Sequence, residues 1–302
     1  MEPNLDDMPR RSRGRHVRII GVACGSGARD HGCEDGPDTL HTLAYFRQLE
    51  GEDGWRWDRT IRVPTSQTDA LQAVAGIVAT LASCVVRSLA EGEFPLVIGG
   101  DHSCAIGTWS GVHAHLGDTA RLGLLWLDAH MDSHTFTTSP SRAIHGMPLA
   151  CLLGYGDTRL TRVASDRPKL LPQDVCLIGV RSFESGEAAL LQRLGVRIYF
   201  MKEIERRGLQ AVFSEAVAHV RQHTAGFGIS LDLDVLDPQE EPGVGSPVPG
   251  GLRRRELVAA LESVHADARL IALEVVEYNP HRDHDSNTAQ AVCELCKSMR
   301  ES

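Results

Sequence analysis

An apolar run, Leu124-Leu125-Trp126-Leu127, breaks without a linker into Asp128-Ala129-His130-Met131-Asp132. No other stretch of this 302-residue chain narrows its fold as far. The run reads as a buried strand. Its tip carries three metal-capable side chains at every second position. If the backbone stays extended past the strand end, alternate side chains point the same way and Asp128, His130 and Asp132 converge.

The same arrangement recurs along the chain. Residues 16–23 predict a first strand, and Asp35-Gly36-Pro37 a helix entry, with proline in the first turn. Leu40, Leu43, Ala44 and Leu49 give that single helix its apolar face. A weaker strand is expected at 55–63 and a long helix at 68–91. Strands follow at 95–98 and 122–127, then a helical patch near 147–153 and a strand at 175–180. The alternation continues with a helix at 188–194, a strand at 196–200, a helix at 209–223 and a strand at 227–231. A helix at 252–264, a strand at 270–276 and a closing helix at 288–299 complete it. Strands alternating with helices predict an α/β chain: a single three-layer αβα domain with a mostly parallel sheet of about eight strands. A closed eight-fold barrel is the structural alternative. The expected organisation is a disordered N-terminal tail, residues 1–15, followed by one catalytic domain, 16–302.

Ligands of open parallel sheets bind beyond the carboxyl ends of the strands. Polar, reactive residues follow five of the predicted strands: His102, Asp128 to Asp132, Arg181 to Glu184, Asp232 to Asp234, and Glu277. A parallel sheet would bring all five to one edge.

Composition excludes several classes. A net charge of −9 argues against a general nucleic-acid binder, and the basic cluster at Arg10, Arg11, Arg13 and Arg15 reads as a solvated arm. No apolar run of membrane-spanning length and no signal-peptide core is evident, so a soluble, cytoplasmic protein without membrane contact is expected. Of the 8 cysteines, Cys84, Cys104, Cys151 and Cys176 lie in apolar segments and read as small core residues. Cys293 and Cys296 form one C-x-x-C without a second pair, which is weak as a zinc or redox signal. Gly21, Gly25 and Gly27 follow the first strand, but Arg29-Asp30-His31-Gly32 stands where a dinucleotide-binding helix should open, so a glycine-rich surface loop is the better reading.

His102, Asp128, His130, Asp132, Asp232 and Asp234 together supply four carboxylates and two imidazoles. One divalent cation cannot use six such groups comfortably; two can, if carboxylates bridge. Oxygen and nitrogen donors without thiolate suit manganese and related ions rather than structural zinc. Two metals about 3.5–4 Å apart can lower the pKa of a shared water towards neutrality, which predicts metal-assisted hydrolysis of an unactivated carbon or phosphorus centre.

Three motifs, Gly99-Gly100-Asp101-His102-Ser103, Asp128-Ala129-His130-Met131-Asp132 and Ser230-Leu231-Asp232-Leu233-Asp234-Val235-Leu236-Asp237-Pro238, resemble those of the ureohydrolases, the family of arginase, agmatinase and related guanidino hydrolases. The resemblance leans towards arginase and spans roughly residues 16–299. It implies an αβα fold with a two-manganese cluster, cobalt or nickel fitting the same ligands, and metal positions at His102, Asp128, His130, Asp132, Asp232 and Asp234. It implies hydrolysis of a guanidino group to urea, with L-arginine giving L-ornithine, in a trimer or hexamer. The alternatives are another guanidino acid, agmatine, guanidine or formiminoglutamate as substrate, or, from a different class, a non-catalytic metal-binding subunit. Carried over residue by residue, Asp132 takes a hydrogen bond from the attacking hydroxide, His145 shuttles protons, and Glu277 pairs with the guanidinium. His134, Ser139, Ser141, Arg142, Glu184 and Ser246 fall at substrate-binding positions. The chain departs from the arginase pattern at Arg142-Ala143, where arginases carry Gly-Asn, and at His134, which replaces a second asparagine. Both changes lie where the family holds the substrate's carboxylate.

Overall fold

The computed structural model describes residues 15–50, 54–63 and 69–299. Its sheet contains β1 (Val17–Ala23), β2 (Trp55–Arg62), β3 (Phe94–Gly99), β4 (Leu122–Leu127), β5 (Val175–Val180), β6 (Arg197–Phe200), β7 (Gly226–Asp232) and β8 (Leu270–Val276). All neighbours pair in parallel, in the order β2-β1-β3-β8-β7-β4-β5-β6. The sheet is open, so the barrel alternative is set aside. The N-terminal tail lies outside the described residues except for Arg15, whose guanidinium donates to the Asp267 carbonyl and lies over the Phe94 ring.

The central strands are apolar on both sides because both faces are covered. Along β4, Leu124 and Trp126 enter one core and Leu125 and Leu127 the other. The Leu125 core is filled from α1 (Gly36–Thr42), α2 (Ala44–Glu50) and, further along the chain, α8 (Met201–Arg207), α9 (Leu209–Arg221), α10 (Arg254–Glu262) and α11 (Asn287–Lys297). The Trp126 core is filled from α3 (Ala70–Ala90), α4 (Ala105–Leu116), α5 (Pro148–Leu152), α6 (Thr158–Thr161) and α7 (Ser185–Leu194). Each fully buried Leu, Ile, Val or Phe contributes about 1.5–3 kcal/mol relative to exposure. All 8 cysteines are buried. Cys293 and Cys296 pack with the α11 side chains Val292 and Leu295 in the core.

Three expectations need correcting. The single helix after Pro37 is two, α1 and α2, because Leu43 adopts an extended conformation (ψ 141°) and breaks the hydrogen-bond ladder between them. Helix α4 is absent from the sequence reading. It is buried nearly all round, so it has no polar face to give a helical period. Its Gly107 and Gly111 lie against the backbone of α3, where a Cβ would come within 2.7 Å of the Val78 carbonyl and 2.6 Å of the Ala82 carbonyl. Helix α3 is itself long and apolar enough to cross a membrane, which the sequence reading missed. Its Val74, Ile77, Val78, Leu81 and Val85 lie in the protein core.

The topology places the functional edge. β3, β8, β7 and β4 are consecutive neighbours, although they come from distant parts of the chain. Their carboxyl ends deliver His102, Glu277, Asp232 with Asp234, and Asp128 with Asp132 respectively.

Candidate metal centre and active site

Two groups of side chains that can hold a metal ion form at this edge: His102, Asp128, Asp132 and Asp232, and Asp128, His130 and Asp234. Asp128 belongs to both. Its Oδ2 lies 3.3 Å from His102 Nδ1 and its Oδ1 3.4 Å from His130 Nδ1. His102 Nδ1 is also 2.9 Å from Asp132 Oδ2 and 3.1 Å from Asp232 Oδ2, and His130 Nδ1 is 2.9 Å from Asp234 Oδ2. All six residues that the motifs single out therefore come together.

They converge by a different route from the one expected. Past β4 the chain bends rather than staying extended. Asp128 Oδ1 accepts from the His130 backbone N–H at 2.6 Å, and Asp132 sits at φ +47°. At the end of β7, Asp232 caps a 3-10 turn over Leu233–Val235, its Oδ1 accepting from the Asp234 N–H at 2.8 Å. Short carboxylate-to-backbone bonds, which Asp makes readily, turn the chain back on itself.

The donor set fits a divalent cation. His102 Nε2 lies 3.1 Å from Ser230 Oγ, and that hydroxyl donates to Glu274 Oε2 at 2.7 Å. The hydroxyl proton is thus committed to Glu274, so Nε2 carries a proton, and Nδ1 is the nitrogen that can offer a lone pair to a cation once it is deprotonated. His102 Nδ1 is buried, surrounded by three carboxylates, and makes no well-formed hydrogen bond. Trp126 completes the support: its Nε1 donates to Asp128 Oδ2 at 2.9 Å and its ring stacks on His102 at 4.2 Å.

Electrostatics lead to the same fit. Burial and the neighbouring Asp234 and Asp128 hold the Asp232 carboxyl well above its ordinary range. Burial and Asp128 push Asp132 up to about 7. Burial opposes charge on His102, but Asp128, Asp132 and Asp232 outweigh it and raise the imidazolium strongly. Four carboxylates in one dry pocket need compensating positive charge, from protons or from metal.

Glu277 follows β8 at φ +67°, a conformation that costs a non-glycine residue about 1–3 kcal/mol. Its surroundings hold it there. Oε1 accepts from the His102 N–H at 2.9 Å and lies 3.1 Å from His145 Nδ1; Oε2 accepts from the Cys33 thiol at 3.3 Å. Gly245 passes so close that a Cβ would stand 2.1 Å from Oε2. Burial opposes charge on His145, but Glu277 outweighs it and raises the imidazole to about 9.

A cavity of about 280 Å³ opens over these groups, lined by His130, Asp132, His134, His145, Glu184 and Glu277, with Ser182, Phe183, Glu187 and Ser246 at its walls. His134 Nε2 lies 2.7 Å from Glu184 Oε2 and its Nδ1 3.2 Å from Thr138 Oγ1. Glu184 is both the residue preceding α7 and a pocket wall. Ser139, Ser141 and Arg142 do not line this cavity. Ser139 Oγ accepts from the Arg142 N–H at 2.9 Å and Ser141 Oγ from the Ala143 N–H at 3.1 Å, shaping the loop. Ser141 lines a separate, smaller pocket of about 190 Å³ that shares His145, Ser246 and Glu277 with this cavity.

Sequence reasoning missed several supports. Cys33, Ser230 and Glu274 touch the site only through the fold. Arg181, read as a strand-end polar residue, donates to the carbonyls of Gly179, Asp234, Val235, Leu236, Val248 and Pro249, pinning the turn that carries Asp234. Of these, Ser230 lay within one of the three motifs and Glu274 three residues before Glu277 in the stretch that carries it.

An open parallel sheet with a carboxylate–imidazole cluster at its carboxyl edge defines an α/β protein whose cluster could hold a metal ion beside a cavity. A model described as the Arginase family matches residues 15–300. The arginase of Bacillus caldovelox is 41% identical over 294 residues, covering 94% of this chain and 97% of that protein. The arginase of Brevibacillus brevis is 40% identical over 296 residues, with the same coverage. The native crystal structure of the Bacillus caldovelox arginase superposes with a TM-score of 0.89 at 39% identity, covering 94% of this chain and 98% of that one. The chain belongs to the arginase family.

Proposed function

We propose that this protein hydrolyses L-arginine to L-ornithine and urea with two manganese ions held by His102, Asp128, His130, Asp132, Asp232 and Asp234. The observation that carries this reading is the pair of metal-capable groups sharing Asp128, with Glu277 and His145 in contact at the pocket wall. When bound, divalent cations there would lower the pKa of water towards neutrality and so supply a nucleophile at physiological pH.

The chain's own residues do the rest. Glu277 takes the guanidinium through charge-assisted hydrogen bonds; its contacts with the His102 N–H, Cys33 and Gly245 fix the carboxylate so that the guanidinium carbon is presented in one orientation. Asp132, which lines the pocket beside the metal-capable groups, can accept a proton from the nucleophile and pass it to the leaving nitrogen. His145 lines the pocket beside Glu277 and exchanges protons between the leaving amine and solvent. Glu184 offers its exposed carboxylate to the substrate's amino group. Residues 16–302 act as one catalytic domain after an N-terminal tail. The protein works in the cytoplasm as a trimer or hexamer, which light scattering on the purified protein would measure.

The test is urea release by the manganese-loaded protein with arginine, agmatine, 4-guanidinobutyrate and guanidine. Arginine is expected to give the highest kcat/KM. No release from any of them, with two metals bound per chain, would replace this reading with that of a non-catalytic metal-binding subunit.

A further inference from the structure

The Glu277 carboxylate is gripped unevenly. Its Oε1 accepts from the His102 N–H at 2.9 Å and faces His145 Nδ1 at 3.1 Å, which together use both lone pairs of that oxygen. Oε2 meets one donor among the described residues, the Cys33 thiol at 3.3 Å. A thiol is a weak donor, so Oε2 keeps most of its capacity to accept. Burial and the Glu277 carboxylate itself hold the Cys33 thiol protonated, far above its usual range, so the contact is an S–H donating to a carboxylate.

The fold sets the position of the sulfur. Cys33 is fully buried and belongs to a 3-10 turn, His31–Asp35, docked on the segment after β8. Asp30 caps the turn: one oxygen accepts from the Gly32 N–H at 3.0 Å, and the other binds Arg282 Nη2 at 2.8 Å and Asn279 Nδ2 at 3.4 Å. Asp35 Oδ2 lies 2.8 Å from His281 Nε2. Gly32 and Gly36 approach the same segment so closely that a Cβ would stand 2.6 Å from Asn279 Nδ2 and 2.5 Å from the Tyr278 carbonyl. Gly245 closes a further side, where a Cβ would stand 3.0 Å from Cys33 Sγ.

A guanidinium is held by N–H groups aimed at carboxylate lone pairs, and on Glu277 the free capacity lies on Oε2. A hydroxyl in place of the thiol would be a full-strength donor and would compete for that oxygen. A methyl would not compete, but it would leave the carboxylate free to turn. We propose that Cys33 is a positioning residue for the guanidinium: its thiol fixes the plane of the Glu277 carboxylate while leaving Oε2 open to the substrate's N–H. This inference rests on the guanidino-hydrolase reading above.

The test uses the manganese-loaded wild type and the Cys33→Ser and Cys33→Ala variants. It measures kcat and KM for arginine, the inhibition constant of the guanidinium ion, and the S–H stretching band in the infrared. Cys33→Ser should raise KM and the guanidinium inhibition constant together, by about five-fold, the net worth of one competing hydrogen bond, with a smaller effect on kcat. Cys33→Ala, which removes the hold without adding a competitor, should instead lower kcat by about five-fold, with a smaller effect on KM. In the wild type, the S–H band that Cys33→Ala removes should move to higher frequency when guanidinium chloride is added, since the ligand draws charge from Oε2. Constants within about two-fold of wild type in both variants, or a band that guanidinium leaves unmoved, would overturn the positioning role while leaving the hydrolase reading intact. Equal losses in both variants together with a lowered Tm would also overturn it and make Cys33 a core residue alone. A wild type that hydrolyses no guanidino compound would overturn both readings.

Discussion

Asp128 is the residue on which both metal-capable groups depend, since its two oxygens face opposite histidines. Asp128→Asn should abolish urea release, by about 100-fold or more, and lower the metal content per chain measured by mass spectrometry; an active variant free of metal would sink the scheme. One contact further out, Glu274 fixes the His102 tautomer through Ser230. Glu274→Gln should weaken metal affinity by about 10–100-fold while leaving the fold intact by circular dichroism; unchanged affinity in a competition titration would show that the Ser230 relay does not set the tautomer. The His145–Glu277 contact has a pH signature. His145 is raised from its ordinary 6.5 to about 9, so the folded protein holds that proton more tightly than the unfolded chain. The stabilisation is complete below about pH 6.5 and is lost as pH rises through about 9. In chelator-treated protein, Glu277→Gln should move the His145 titration downward by NMR; an unmoved titration would mean that Glu277 is not the cause of the shift.

Between elements, the site is held by backbone contacts that no local pattern announces. Arg181 is anchored by six carbonyls drawn from the end of β5, the turn after β7 and the 248–249 loop. Arg181→Met would leave those buried acceptors without a donor, at a cost of about 2–4 kcal/mol. The expected result is a lower denaturation midpoint together with weaker metal binding, because the released turn carries Asp234. A midpoint that drops with metal affinity unchanged would assign Arg181 to stability alone. Helix α4 shows why one element was hard to read. Periodicity reports a boundary between core and water, and α4 has core on nearly every side. Its only local sign is the Gly107 and Gly111 pair, four residues apart, where α3 packs against it.

At the scale of the molecule, the cluster opposes folding unless it is neutralised. Four carboxylates at the edge of four neighbouring strands repel one another, and a cation that binds only the folded state stabilises it by mass action, about 2.7 kcal/mol at a hundred-fold excess over Kd. Chelation should therefore lower Tm by several degrees, and returning manganese should restore it; a Tm indifferent to both would argue against a resident cation. By itself the sequence determined what the site is made of. Asp128, His130, Asp132, His102, Asp232 and Asp234 were legible because metal binding favours those residue types and because buried strands announce themselves as apolar runs; Glu277 was legible through the resemblance of its stretch to the family's. It also gave most of the alternation of strands and helices, which fits a parallel sheet either open or closed into a barrel; the structure decided that it is open. The tertiary structure decided which strands are neighbours, and so placed β3, β8, β7 and β4 side by side. It decided how the ligands meet, through bends rather than extended alternation. It also decided which unannounced residues surround them: Cys33 reaches Glu277 across 244 positions, and Ser230 links His102 to Glu274. Contacts between residues so far apart depend on pairings that only the folded chain makes, and no local period or propensity encodes them.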